Sequence, residues 1–106
     1  MQINGKEYNF AYTVWAHCEY NDWIVKNPNS SYARAVVQKA AIMSKAYHDI
    51  HGEGEILNPK DVMNLPAYVF NEILTETDAA EKRDSERTVE AVPSSKNAGS
   101  SEESKK

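Results

Sequence analysis

The sequence predicts a mainly α-helical domain with a small N-terminal β-hairpin, an α+β arrangement of three to four helices around one long central helix, followed by a disordered tail. Three observations carry that prediction. Ser30 to Gly52 holds the longest helical pattern in the chain, Asn4-Gly5 marks a hairpin between short extended runs, and the last 24 of 106 residues are poor in apolar side chains. The domain should span residues 1–82 and the tail 83–106.

The hairpin comes first. Asn4 and Gly5 both tolerate positive φ, as a type I′ turn requires. Beyond it Tyr8, Phe10 and Tyr12 alternate with Glu7, Asn9 and Ala11, so an extended strand would carry three aromatics on one face. A two-stranded hairpin is marginal alone, so that face should pack on a helix.

Thr13 is placed to cap a first helix from Val14, and Asn27-Pro28-Asn29 ends it. Its apolar residues fall on two faces: Val14, Cys18 and Val25 mark one, while Tyr20, Trp23 and Ile24 are rotated away. The second face either packs on the hairpin or a third helix, or anchors a partner protein.

In the central helix Tyr32, Val36, Ala40, Met43, Tyr47 and Ile50 recur at spacings of four and three, and Ala33, Val37, Ala41 and Ala46 widen that face. Ser30 or Ser31 caps its start and Gly52 closes its end. Arg34, Gln38, Lys39, Lys45 and Asp49 should meet water. Next, Asn58-Pro59-Lys60-Asp61 has a cap, a first-turn proline and an acid, so a short helix should begin there. Leu65-Pro66 interrupts it, and a new helix restarts at Pro66 with Tyr68, Val69, Ile73 and Thr77 at helical spacing and Phe70 and Leu74 on an adjacent stripe. Past Arg83 the only sizeable apolar side chains are Val89 and Val92, too few to offset the entropy of ordering that segment.

A formal charge of −4 argues against binding a phosphate backbone, which needs a basic surface. The acidic excess lies in residues 1–82, with seven Lys and Arg against eleven Asp and Glu, while residues 83–106 carry five of each. No apolar run approaches the roughly 18 residues of a membrane span. One cysteine, Cys18, leaves no internal disulfide, and a reducing, cytoplasmic home is expected.

No residue pattern points to catalysis, a cofactor or a metal. His48 and His51 share a helical face, but imidazoles at a helix C-terminus are favoured by the helix dipole alone. His17 and Cys18 are adjacent, which turns their side chains apart. Glu53 and Glu55 sit on a loop with no partner fixed by spacing, and Gly52 and Gly54 lack the rest of a phosphate-binding loop.

Ile3-Asn4-Gly5-Lys6-Glu7-Tyr8-Asn9-Phe10, leading through Thr13 to a Trp- and Glu-bearing helix, resembles the opening of the small tail assembly chaperones of siphophages and prophages. The long middle helix and the capped Asn58-Pro59 segment are similar to that group too, so the resemblance covers about residues 2–80. It implies a non-enzymatic factor of the host cytoplasm that keeps the tape measure protein soluble while tail tube protein assembles around it. It also implies a frameshifted C-terminal extension, with which Lys105-Lys106 is compatible. The alternatives are a structural phage protein, either a head-tail connector or a tail completion protein, a small host adaptor in a stable complex, or a small enzyme. The partner-binding candidates are Trp23, Ile24, Tyr32, Phe70 and Leu74, each beside its helix's main apolar face or near a helix end. Leftover apolar faces also make homo-oligomers an expectation.

Overall fold

One tight turn of backbone joins the first two structural elements. In the computed structural model, which describes residues 1–86, Asn4 has φ 51° and Gly5 φ 82°, the positive pair that a type I′ turn demands. They join β1 (Gln2–Ile3) to an antiparallel β2 (Lys6–Glu7), with Gln2 opposite Glu7 and Ile3 opposite Lys6. Four helices follow: α1 (Val14–Lys26), α2 (Tyr32–His51), α3 (Pro59–Val62) and α4 (Tyr68–Ser85).

The caps fall where side-chain chemistry puts them. Thr13 Oγ1 accepts the Ala16 N–H, Ser31 Oγ accepts the Arg34 N–H, and Asn58 Oδ1 accepts the Lys60 N–H. Gly52 closes α2 at φ 70°, its N–H donating to the His48 carbonyl. The restart at Pro66 is softer than expected: α4 begins at Tyr68 with no side-chain cap, and Val69 N–H donates to the Pro66 carbonyl.

Helix α2 is the scaffold, with α1, α3 and α4 packed on it. Its buried residues Ala35, Val36, Val37, Ala40, Ala41, Met43, Ser44 and Ala46 span well over half its circumference, a wider arc than the predicted stripe. The stripe's two ends overhang instead, with Tyr32 72% and Ile50 58% exposed. The main core joins Phe10, Val37, Ala40, Ala41, Met43, Leu57, Val69, Ile73 and Ala80.

The structure corrects the sequence reading in four places. Residues 8–12 are not a strand: they form an irregular strap laid on α2, with the Ala11 N–H donating to the Met43 carbonyl. Phe10 and Ala11 are both buried, so the strap is covered on both sides while Tyr8 and Tyr12 pack at the core's edge. Second, the Val14, Cys18 and Val25 side of α1 faces outward, with Val14 82% and Val25 77% exposed, while Ala16 turns inward on the opposite side. Third, Lys39 is half-buried and pairs with Glu81, so it does not simply meet water. Fourth, α4 continues past the expected boundary at residue 82: Arg83 donates to the Phe10 carbonyl at 3.0 Å and Asp84 accepts the Tyr12 N–H at 2.9 Å. The remainder of the expected disordered tail, from residue 87, lies outside the described residues.

Candidate functional site

Contacts at the helix faces give the relative directions of the three long helices. Tyr20 stands against Lys39 and Trp15 against Lys45, so residue numbers rise along α1 as they fall along α2, and the pair is antiparallel. Glu81 meets Lys39, whereas Phe70 shares a groove with Arg34 and Val37, so α4 runs parallel to α2. Both flanking helices pack on α2 and Lys39 meets both, so the row of α2 that carries Lys39 faces the strip between α1 and α4, a valley by its position between the two helices.

Lys39 closes one end of the valley. Its ammonium lies 5.1 Å from the ring centroids of both Tyr12 and Tyr20 and pairs with the Glu81 carboxylate. Tyr12 extends the cluster, since its hydroxyl and His17 Nδ1 are 2.7 Å apart and the two rings meet edge to face at 5.7 Å. Burial raises the Tyr12 hydroxyl pKa above its ordinary value, against the opposing pull of Lys39. Nearby, the hydrogen bond from Arg83 holds Asp84 below the usual carboxylate range, helped by the Tyr12 N–H.

From Lys39 toward the start of α2, helical register carries all five sequence candidates onto this valley. Trp23 and Ile24 follow Tyr20 by three and four residues, Tyr32 precedes Lys39 by seven, and Leu74 and Phe70 precede Glu81 by seven and eleven. Their exposure divides them. Trp23, Phe70 and Leu74 are half-buried, and Ala35 and Val36 of α2 are buried, whereas Ile24 is 38% and Tyr32 72% exposed.

Phe70 also lines a groove of about 380 Å³ between the start of α2 and the α3–α4 connection, walled by Ala33, Val37, Met63, Pro66 and Val69 with Arg34 among its lining residues. Met63, which the sequence pattern did not single out, is 47% exposed, and Tyr68, expected on the main stripe of α4 with Val69, Ile73 and Thr77, is 63% exposed at the first turn of that helix. They flank the Pro66 break, where helical periodicity lapses before Met63 can be placed and where the first turn of α4 carries Tyr68 beyond the core. Their exposure extends the apolar surface at this end of the molecule.

The residues weighed for chemistry have other neighbours. His48 Nδ1 is 2.8 Å from the Gly54 carbonyl oxygen, and the His51 ring lies 4.2 Å from that of Tyr47. His17 is engaged by Tyr12, and Cys18 is exposed on the outer side of α1. Among the described residues no group of three or more His, Cys, Asp or Glu is placed to hold a metal ion. Nor is any described helix long and apolar enough to cross a membrane.

The protein-family models, curated proteins and solved structures compared with this chain include none that matches it. The arrangement is a partly exposed apolar strip of aromatic and aliphatic side chains between two helices, with the Lys39–Glu81 pair at its end.

Proposed function

We propose that this chain is a binding module that receives an apolar helical segment of another protein in the α1–α4 valley, acting as a tail assembly chaperone toward a tape measure protein. The reading is supported by the helical register that puts Trp23, Ile24, Tyr32, Phe70 and Leu74 on the side of their helices that carries Tyr20, Lys39 and Glu81, where Lys39 and Glu81 satisfy each other. A helix laid there would cover the exposed parts of Ile24 and Tyr32 without leaving either charge unpaired. Aromatic anchors beside aliphatic walls are the usual source of binding energy in such grooves.

Co-expression with the tape measure protein is the test. The reading expects that protein in the soluble fraction and bound to this chain, and it fails if solubility is the same without the chain. A second reading, a structural phage component or adaptor in a permanent complex, draws on the outer stripe of α1, where Val14 and Val25 stand 82% and 77% exposed. Fixed copy number in mature particles would favour it over the chaperone.

A further inference from the structure

We infer that the groove between the start of α2 and the α3–α4 connection is a second docking site, for a segment of another protein that presents apolar side chains beside a carboxylate, with Arg34 receiving the carboxylate. The groove stands apart from the α1–α4 strip. Of the residues assigned to that strip only Phe70 lines it, so the inference does not rest on the binding function proposed above.

Local sequence explains why a hollow is left here. Pro66 has no N–H with which to continue a helix from α3 into α4, and the connection closes on its own bonds instead. Leu65 N–H donates to the Val62 carbonyl, Val69 N–H to the Pro66 carbonyl and Phe70 N–H to the Ala67 carbonyl. Facing this irregular turn, α2 offers the short side chains of Ala33 and Val37. The space between them, about 380 Å³, is at the small end of ligand pockets, which run from about 300 to 1,000 Å³. Val37 and Val69 are buried beneath it, Val62, Leu65 and Phe70 are half-buried, and Met63 is exposed, an adaptable side chain suited to meeting a partner.

Charge sets this groove apart from the other hollows of the surface. The one beside the hairpin holds Asp61 with Lys6, the one along α4 holds Glu72 and Glu76, and the one beside the strap holds Glu76 with Arg83. The Arg34 groove is the most apolar of the four, and no acid lines it. Lys39, Lys45 and Arg83 pair with Glu81, Asp49 and Asp84, but among the described residues the Arg34 side chain has neither an ion pair nor a hydrogen bond. No acidic residue stands in the first turn of α2 to offset it.

The consequence is selectivity. An apolar side chain that fills the groove strips water from the neighbouring guanidinium, a loss that an adjoining carboxylate makes good and a neutral or basic neighbour does not. Elsewhere on the domain an acidic segment meets repulsion, because residues 1–82 carry eleven Asp and Glu against seven Lys and Arg.

A titration of the full chain followed by amide NMR tests the site. The probe is an end-blocked Ser/Gly peptide carrying Leu-Glu-Phe, and its control carries Leu-Gln-Phe. The probe should shift the amides of Ala33, Arg34, Met63 and Ala67 and leave those of Tyr20 and Trp23 in place. The control should bind about fivefold more weakly, and Arg34→Gln should bring the probe down to the control's affinity while leaving the control unchanged. Met63→Asp, at an exposed position, should remove binding of both peptides with the rest of the spectrum preserved. Absence of binding, shifts centred on α1, or equal affinity for the two peptides overturns the proposal. If Arg34→Gln fails to fold, the two peptides on the unmodified chain decide. Two further results would give the groove a different occupant and so overturn it. Shifts of the same amides on dilution without peptide would assign it to a second copy, and tighter probe binding in Glu90→Gln would assign it to the chain's own residues 89–92.

Discussion

Ser44 Oγ accepts the N–H of Leu57 at 2.8 Å while donating its own proton to the Ala41 carbonyl at 2.8 Å. One buried hydroxyl thus ties the loop after α2 to the middle of that helix, and Leu57 enters the main core as a result. Ser44→Ala strands the Leu57 N–H in an apolar site and should cost about 1–3 kcal/mol in urea unfolding. A loss near zero would mean that water reaches the amide.

The five valley residues should separate by burial. Trp23→Ala and Phe70→Ala remove half-buried aromatics and should destabilise by about 1–3 kcal/mol, below the range for fully buried rings. Ile24→Ala and Tyr32→Ala should stay within about 0.5 kcal/mol of the parent in stability yet weaken retention of the partner on co-purification. Full retention by both would remove them from the binding surface.

The orientation of α1 makes an opposite forecast for its outer stripe. Val14→Lys and Val25→Lys place charges on side chains that are 82% and 77% exposed, so each should change thermal stability by no more than about 0.5 kcal/mol. A large loss from either would show that the stripe is covered in solution, and sedimentation would then reveal self-association.

Asp84 gives the clasp between α4 and the strap a defined pH dependence. Its folded-state pKa is lowered, first by the Arg83 hydrogen bond, so its stabilising contribution is present above the ordinary Asp value of about 4. It is lost as pH falls through the lower folded value. Protection of the Tyr12 amide should therefore drop on acidification below about pH 4, and Asp84→Asn should flatten that change. An unchanged acid profile in the variant would place the titrating group elsewhere.

Gly52 at φ 70° ends α2 with open space around its Cα. Gly52→Ala meets no neighbouring atom, so the cost is purely that of left-handed backbone, about 1–2 kcal/mol by thermal or urea unfolding. A smaller loss would mean that the helix end refolds into another cap.

Legibility followed the range of the interactions. Thr13, Ser31 and Asn58 cap helices through bonds to residues two or three positions away, and Asn4-Gly5 and Gly52 act through their own backbone angles. Those elements were readable because both partners lie in the same short window. Trp23, Ile24, Tyr32, Phe70 and Leu74 each lie beside a main apolar face in the sequence pattern, but whether they share a surface depends on the directions of α1, α2 and α4, which no local pattern encodes. Met63 had no periodic pattern to place it across the proline break, and Tyr68 was placed on the core stripe of α4 although it is 63% exposed at that helix's first turn.

The sequence by itself therefore determined the hairpin turn, the helices and most of their limits, since capping and periodicity are local. Tertiary structure decided which side of α1 faces inward, why residues 8–12 lie as a strap, and why α4 runs on to Ser85. Each depends on a partner far along the chain: Ala46 under Ala16, Met43 holding Ala11, and Phe10 and Tyr12 receiving Arg83 and Asp84. Lys39 shows the same limit most plainly, for a lysine on a helix reads as solvent-facing until two tyrosines and a glutamate from three other segments close around it.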